Sequence, residues 1–71
     1  MQRFGEKLRQ LRQQRGMTLR ELAEALDLTT HGYLGDLEHG RRQPSLEFAL
    51  KIAMFFGISL DQLARDDLDI D

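Results

Sequence analysis

Apolar residues recur along this 71-residue chain at helical spacing, separated by residues that start and stop helices. Phe4, Leu8 and Leu11 fall at i, i+4 and i+7, the apolar stripe of a first helix. Gly16 follows Arg15 and can take the left-handed conformation that closes it. Thr18 and Glu21 form a capping box, which predicts a second helix with Leu22, Ala23 and Leu26 turned inward. The turn Asp27-Leu28-Thr29-Thr30 leads into a third helix beginning at Thr30, with Leu34 and Leu37 inside and Gly40 as a C-cap candidate. Pro44-Ser45 opens a fourth helix, because Pro cannot continue a helix and Ser caps one. Its predicted inner face is Leu46, Ala49, Leu50 and Ala53, and Gly57 ends it. Ser59 and Gln62 form a second capping box, starting a fifth helix with Leu60 and Leu63 inside. No useful stretch alternates with period two, so strands are not expected. Isolated helices shorter than about 12–15 residues are marginal in water, so one shared core must hold all five. The expected fold class is all-α.

Composition narrows the class. A chain of this length allows one core and no second domain. Residues 1–65 are expected to form that domain and 66–71 a solvated, frayed acidic tail. With no cysteine, disulfides and thiolate metal sites are excluded. No apolar run approaches the roughly 20 residues that span a bilayer, and Met1 to Lys7 lack the apolar region of a signal peptide. A cytoplasmic location is the expectation. His31 and His39 are eight apart, which is not zinc-ligand spacing, and neither a Gly-rich phosphate loop nor a nucleophile–base pair is suggested. No enzyme activity, metal or cofactor is expected.

Charge is distributed unevenly. The net charge is -2, but residues 1–20 carry +5, residues 21–58 carry -3 and residues 59–71 carry -4. A dipolar molecule of this kind can present a basic face to phosphate and an acidic end to water.

The stretch Thr18 to Ser45, and within it Glu38-His-Gly-Arg-Arg-Gln-Pro-Ser45, resembles the helix-turn-helix of the Cro/C1-type repressors, the XRE family. The resemblance runs from about Phe4 to Leu63. It implies a five-helix lambda-repressor-like DNA-binding domain whose third helix enters the major groove. Carried over by motif, Thr30, His31, Gly32 and Asp36 are the implied base contacts. Arg41 and Arg42 match the family's phosphate-contacting loop, Arg20 and Arg3 are secondary phosphate candidates, and Arg12 with Glu38 matches a family ion pair linking helix one to the end of helix three. His31 can donate to guanine or phosphate, and Asp36 can accept from cytosine N4. The helix-turn-helix itself departs from the family pattern in three ways. Asp27 stands where Gly is usual, Leu19 where Gln is frequent, and the turn at 27–30 is one residue longer, through a longer helix two or a rearranged turn.

Helix four carries Phe48, Met54 and Phe55 where the family often has Thr, Lys and Ala. A helix apolar nearly all round is either buried or packed on a partner. The expectation is a homodimer seam at Phe48, Met54 and Phe55, with a fuller core as the plain alternative. The functional expectation is a sequence-specific regulator, a repressor that binds palindromic double-stranded DNA as a dimer. The competing expectation is a protein-interaction module on the same fold, of antirepressor or antitoxin-like character, with a protein partner and little base reading.

Overall fold

The computed structural model describes residues 1–70. Five helices follow in order: α1 (Phe4–Gln14), α2 (Leu19–Ala25), α3 (Gly32–Glu38), α4 (Leu46–Phe56) and α5 (Leu60–Ala64). No strand occurs among the described residues. The predicted caps form. Thr18 and Glu21 close a reciprocal capping box on α2, and Ser59 and Gln62 close another on α5. Ser45 accepts from Phe48 N to start α4.

Four helices end through the same backbone device. Met17, Leu28, Arg41 and Ile58 donate their N–H groups back to the carbonyls of Arg12, Ala23, Asp36 and Ala53. The residue before each has a positive φ, and that pairing satisfies carbonyls that the helix leaves open. In three cases this residue is glycine; in α2 it is Asp27, at φ 59°. Helix two is therefore not extended, and the added length of the 27–30 segment lies in the turn. Helix three starts at Gly32 rather than Thr30, because the Thr30 hydroxyl accepts from Gly32 N and holds its own backbone outside the helix.

The core is one cluster. Phe4, Leu8 and Leu11 of α1 meet Leu22, Ala23 and Leu26 of the α2 segment, Leu34 and Leu37 of α3, and Leu63 of α5. From α4 come Ala49, Ile52, Ala53 and Phe56. The predicted inner face of α4 is thus half right. Leu46 and Leu50 point outward, 69% and 46% exposed. The helix is turned so that Ile52 and Phe56 enter the core, while Phe48 packs edge-on against Tyr33 with ring centroids 5.2 Å apart. Gly5 sets the approach of α1 to α3: a Cβ there would overlap the carbonyl oxygens of Leu37 and Glu38.

Basic side chains close several carbonyl ends. Lys7 is fully buried, and its Nζ donates to the carbonyls of Gln62 and Arg65 at the end of α5, both at 2.6 Å. Lys51 Nζ donates to Leu26 O at the end of α2, and Arg15 donates to Phe56 O at the end of α4 while lying over the rings of Phe55 and Phe56. A cation at a helix C-terminus interacts favourably with the negative end of the dipole.

The acidic end does not fray over residues 66–70. Asp66 accepts from the N–H groups of Gln2 and Arg3, just ahead of α1. The Arg3 guanidinium bonds Asp69 Oδ1 and the carbonyls of Asp66 and Leu68. Ile70 is buried in the core cluster. Apolar Leu68 and Ile70, spaced two apart among the acids, give this strap an inward side that outweighs the solubility of its carboxylates. Asp71 lies outside the described residues.

Candidate nucleic-acid interface

Helix three offers a mostly exposed face bounded by basic residues. Its buried side is Leu34 and Leu37, which leaves His31, Gly32 and His39 exposed and Gly35 and Asp36 half-exposed. Thr30 and His31 stand at its N-terminal end. A shallow depression between α2 and the turn is lined by Arg20, Glu24, Leu28, Thr29, Thr30 and His31. Arg20, on α2, therefore shares a surface with two of the predicted base contacts, which lie together in the turn ahead of α3.

At the other end of α3 the loop after Gly40 brings Arg41 and Arg42 back toward the helix. Asp36 lies between them: Arg41 Nε donates to Asp36 Oδ1 at 3.0 Å, and Arg42 Nε is 3.6 Å from Oδ2. The Arg42 guanidinium also lies over the Tyr33 ring, 5.8 Å from its centroid. Tyr33 is held in turn by Phe48. Both arginine side chains remain well exposed, at 63% and 64%. The implied base contact Asp36 and the implied phosphate contacts Arg41 and Arg42 thus form one charged cluster.

Arg12 and Glu38 hold this element in place. Arg12 Nε donates to Glu38 Oε2 at 2.7 Å and Nη2 to Oε1 at 3.1 Å, while Nη1 donates to Met17 O. The pair joins α1 to the last turn of α3 beneath the basic loop. The Glu38 hydrogen bond keeps the Arg12 guanidinium above its ordinary pKa, against the opposing effect of burial.

The basic N-terminal segment is not a basic face. Four of its six cations are used internally: Arg3 on the strap, Lys7 on α5, Arg12 on Glu38 and Arg15 on α4. Arg3 in particular joins neither end of the α3 surface. Its pKa is raised by its bonds to Asp69 and Glu6. Sequence distribution alone could not separate cations that bind carbonyls from cations that face solvent.

The three proposed seam residues also part company. Phe55 meets Phe56 edge-on under Arg15, and Phe48 meets Tyr33, so both are half-buried within the chain. Met54 is 74% exposed. It continues an outward stripe with Leu46 and Leu50 at i, i+4 and i+8. Sequence reasoning passed over Tyr33, the support of Arg42, while Leu19, noted where the family often has Gln, packs its side chain toward Gly35. The apolar ring of Tyr33, one residue before core Leu34, was the available signal.

Two short helices joined by a turn, the second exposed along one face and flanked by arginines, make a helix-turn-helix unit. A helix-turn-helix family model matches residues 8–63, and the chain belongs to that family, of the Cro/C1 type. It is not an enzyme family. The chain is 45% identical over 58 residues to the HTH-type transcriptional regulator DdrOP3 of Deinococcus deserti, covering 82% of this chain and 44% of that one. It is 35% identical to the SPbeta prophage-derived uncharacterized HTH-type transcriptional regulator YonR of Bacillus subtilis, covering 93% of this chain and 65% of that one. It is 33% identical to the cryptic phage CTXphi transcriptional repressor RstR of Vibrio cholerae, covering 89% and 56%. The chain therefore spans less than two thirds of the length of these relatives. No solved structure gives a significant match. Among the described residues no helix is long and apolar enough to cross a membrane.

Proposed function

We propose that this chain binds double-stranded DNA and regulates transcription, as a repressor acting on a palindromic operator. The observation that carries this reading is the α3 surface, with Thr30, His31 and Gly32 at its leading end, Arg20 beside them and Arg41 and Arg42 behind. In this arrangement α3 enters the major groove, His31 and Thr30 reach base edges, and Arg20, Arg41 and Arg42 reach phosphates. Arg3 is left out of the phosphate set because its guanidinium is held by the strap. Names of relatives that include transcriptional regulators and a phage repressor support the same reading.

A second copy pairs through the outward stripe of α4, Leu46, Leu50 and Met54, with Phe48 and Phe55 flanking it. The dimer sets two α3 helices about 34 Å apart, one turn of DNA. Sedimentation at micromolar concentration then gives twice the chain mass, and Leu50→Glu gives a folded monomer. A wild-type monomer at high concentration sinks the seam.

Selection of bound duplexes from a random pool tests the function itself. Enrichment of a palindromic motif is the expected result, with a reduced preference at one base pair in His31→Ala, worth about 1–3 kcal/mol. Enrichment of no motif removes base reading and favours the protein-interaction module. The observation on the side of that alternative is the internal use of most N-terminal cations, which leaves few for phosphate.

A further inference from the structure

The Asp36 carboxylate occupies the space between the two arginines read above as phosphate contacts, and the inference that follows rests on that reading. We propose that Asp36 is a built-in competitor for DNA phosphate, which lowers the affinity of Arg41 and Arg42 for any duplex.

The geometry is that of a site already holding an anion. Two guanidinium groups converge on one carboxylate, each through its Nε, with one contact to each carboxylate oxygen. A phosphate oxygen is recognised by the same donors with the same charge complementarity. The cluster carries +1 with Asp36 present and +2 without it. Asp36 is fixed to the rigid part of the site, midway along α3, and Arg42 is steadied on Tyr33. The carboxylate therefore stays near both arginines when phosphate arrives, and its repulsion is felt on every DNA sequence alike. Exposed ion pairs contribute little to folding, so Asp36 is not needed there to hold the helix. A helix with two glycines on its outer side has few base contacts to set against non-specific attraction. Lowering the sequence-independent term reduces occupancy of random DNA at a given protein and salt concentration.

The test measures binding to a random-sequence duplex by fluorescence anisotropy across a salt series. Four proteins are compared: wild type, Asp36→Asn, Arg41→Ala/Arg42→Ala, and the combination of all three. Asp36→Asn, which is close to isosteric, should bind about fivefold to tenfold more tightly at low salt. Its slope of log K against log salt should steepen by about one. In the double-arginine background the same substitution should have little effect. Equal or weaker binding by Asp36→Asn would mean that the carboxylate positions the arginines rather than competing, and would overturn the proposal. An equal gain in both backgrounds would also overturn it, since the effect would then belong to net charge and not to the cluster. If instead the double-arginine variant binds like wild type, the phosphate reading of the loop is what fails. Asp36→Ala, followed by circular dichroism, gives a second variant should the Asn protein not fold.

Discussion

Glu38 faces Arg12 across the junction of α3 and α1 with both carboxylate oxygens bonded and only 3% of its side chain exposed. Such a pair is weak evidence of net stabilisation, but removing one member strands the other. Arg12→Ala should cost about 3–5 kcal/mol in urea denaturation, because Glu38 remains charged and buried. Glu38→Gln should cost less, since an amide keeps an acceptor for Arg12. Equal costs for the two would show that packing and not the stranded charge dominates.

Gly5 and Gly35 should respond in opposite directions. Alanine at Gly5 drives a methyl into the α3 backbone at Leu37 and Glu38, and should destabilise by about 1–3 kcal/mol. Alanine at Gly35 meets only Leu19 Cδ1, at 3.9 Å, and should stabilise by up to about 1 kcal/mol through helix propensity. Under the DNA reading, the Gly35 variant should nonetheless bind DNA more weakly, as a methyl now stands between α3 and the groove. Thermal melts and binding curves on the same preparations check both halves.

Asp27 is the one non-glycine residue with positive φ among the described residues. Asp27→Gly should raise stability by roughly 1 kcal/mol by relieving the left-handed conformation, and Asp27→Ala should lower it. Chemical denaturation that ranks both variants below wild type would show that the Asp side chain, and not its backbone conformation, governs this turn.

The strap should melt in acid. The N–H groups of Arg3 and Gln2 hold the Asp66 carboxyl below its ordinary range. Its folded pKa is lowered, so the stabilisation is complete above the unfolded value of about 3.9 and is lost as pH falls through the lower folded value. Wild type should therefore lose stability relative to Asp66→Ala between about pH 5 and pH 2, with the two curves converging at the acid end. Curves that stay parallel throughout would remove Asp66 from the acid response.

How far the sequence could be read depended on the range of the interaction. Capping boxes at Thr18/Glu21 and Ser59/Gln62 are legible because donor and acceptor lie three residues apart. The left-handed stop at Asp27 is legible for the same reason. Helix four is not, since Leu46/Leu50 and Ile52/Phe56 make two overlapping apolar stripes, and only tertiary partners decide which is buried. Lys7 sits in the same register as Leu8 and Leu11 but reads as a surface charge until α5 supplies the carbonyls it bonds. Gly5 is the second residue of α1, where a glycine gives no local signal, and its packing reason appears only when the α3 backbone at Leu37 and Glu38 comes against it. At the interface, residue types located the arginines of the loop, while their pairing with Asp36 arises only when the chain turns back at Gly40.

The strap from Asp66 to Ile70 also decides how the molecule bears load. Tension applied through the two ends of the described chain falls on Ile70 in the core and on the bonds between Arg3 and Asp69 and between Asp66 and the residues ahead of α1. The bonds are exposed polar contacts, separable one at a time, and Ile70 is the strap's single anchor in the packed apolar interior. A pull from any segment joined at either end is thus taken up by a replaceable fastening, and the positions of α2, α3 and the Arg41–Arg42 loop are left undisturbed until that fastening opens.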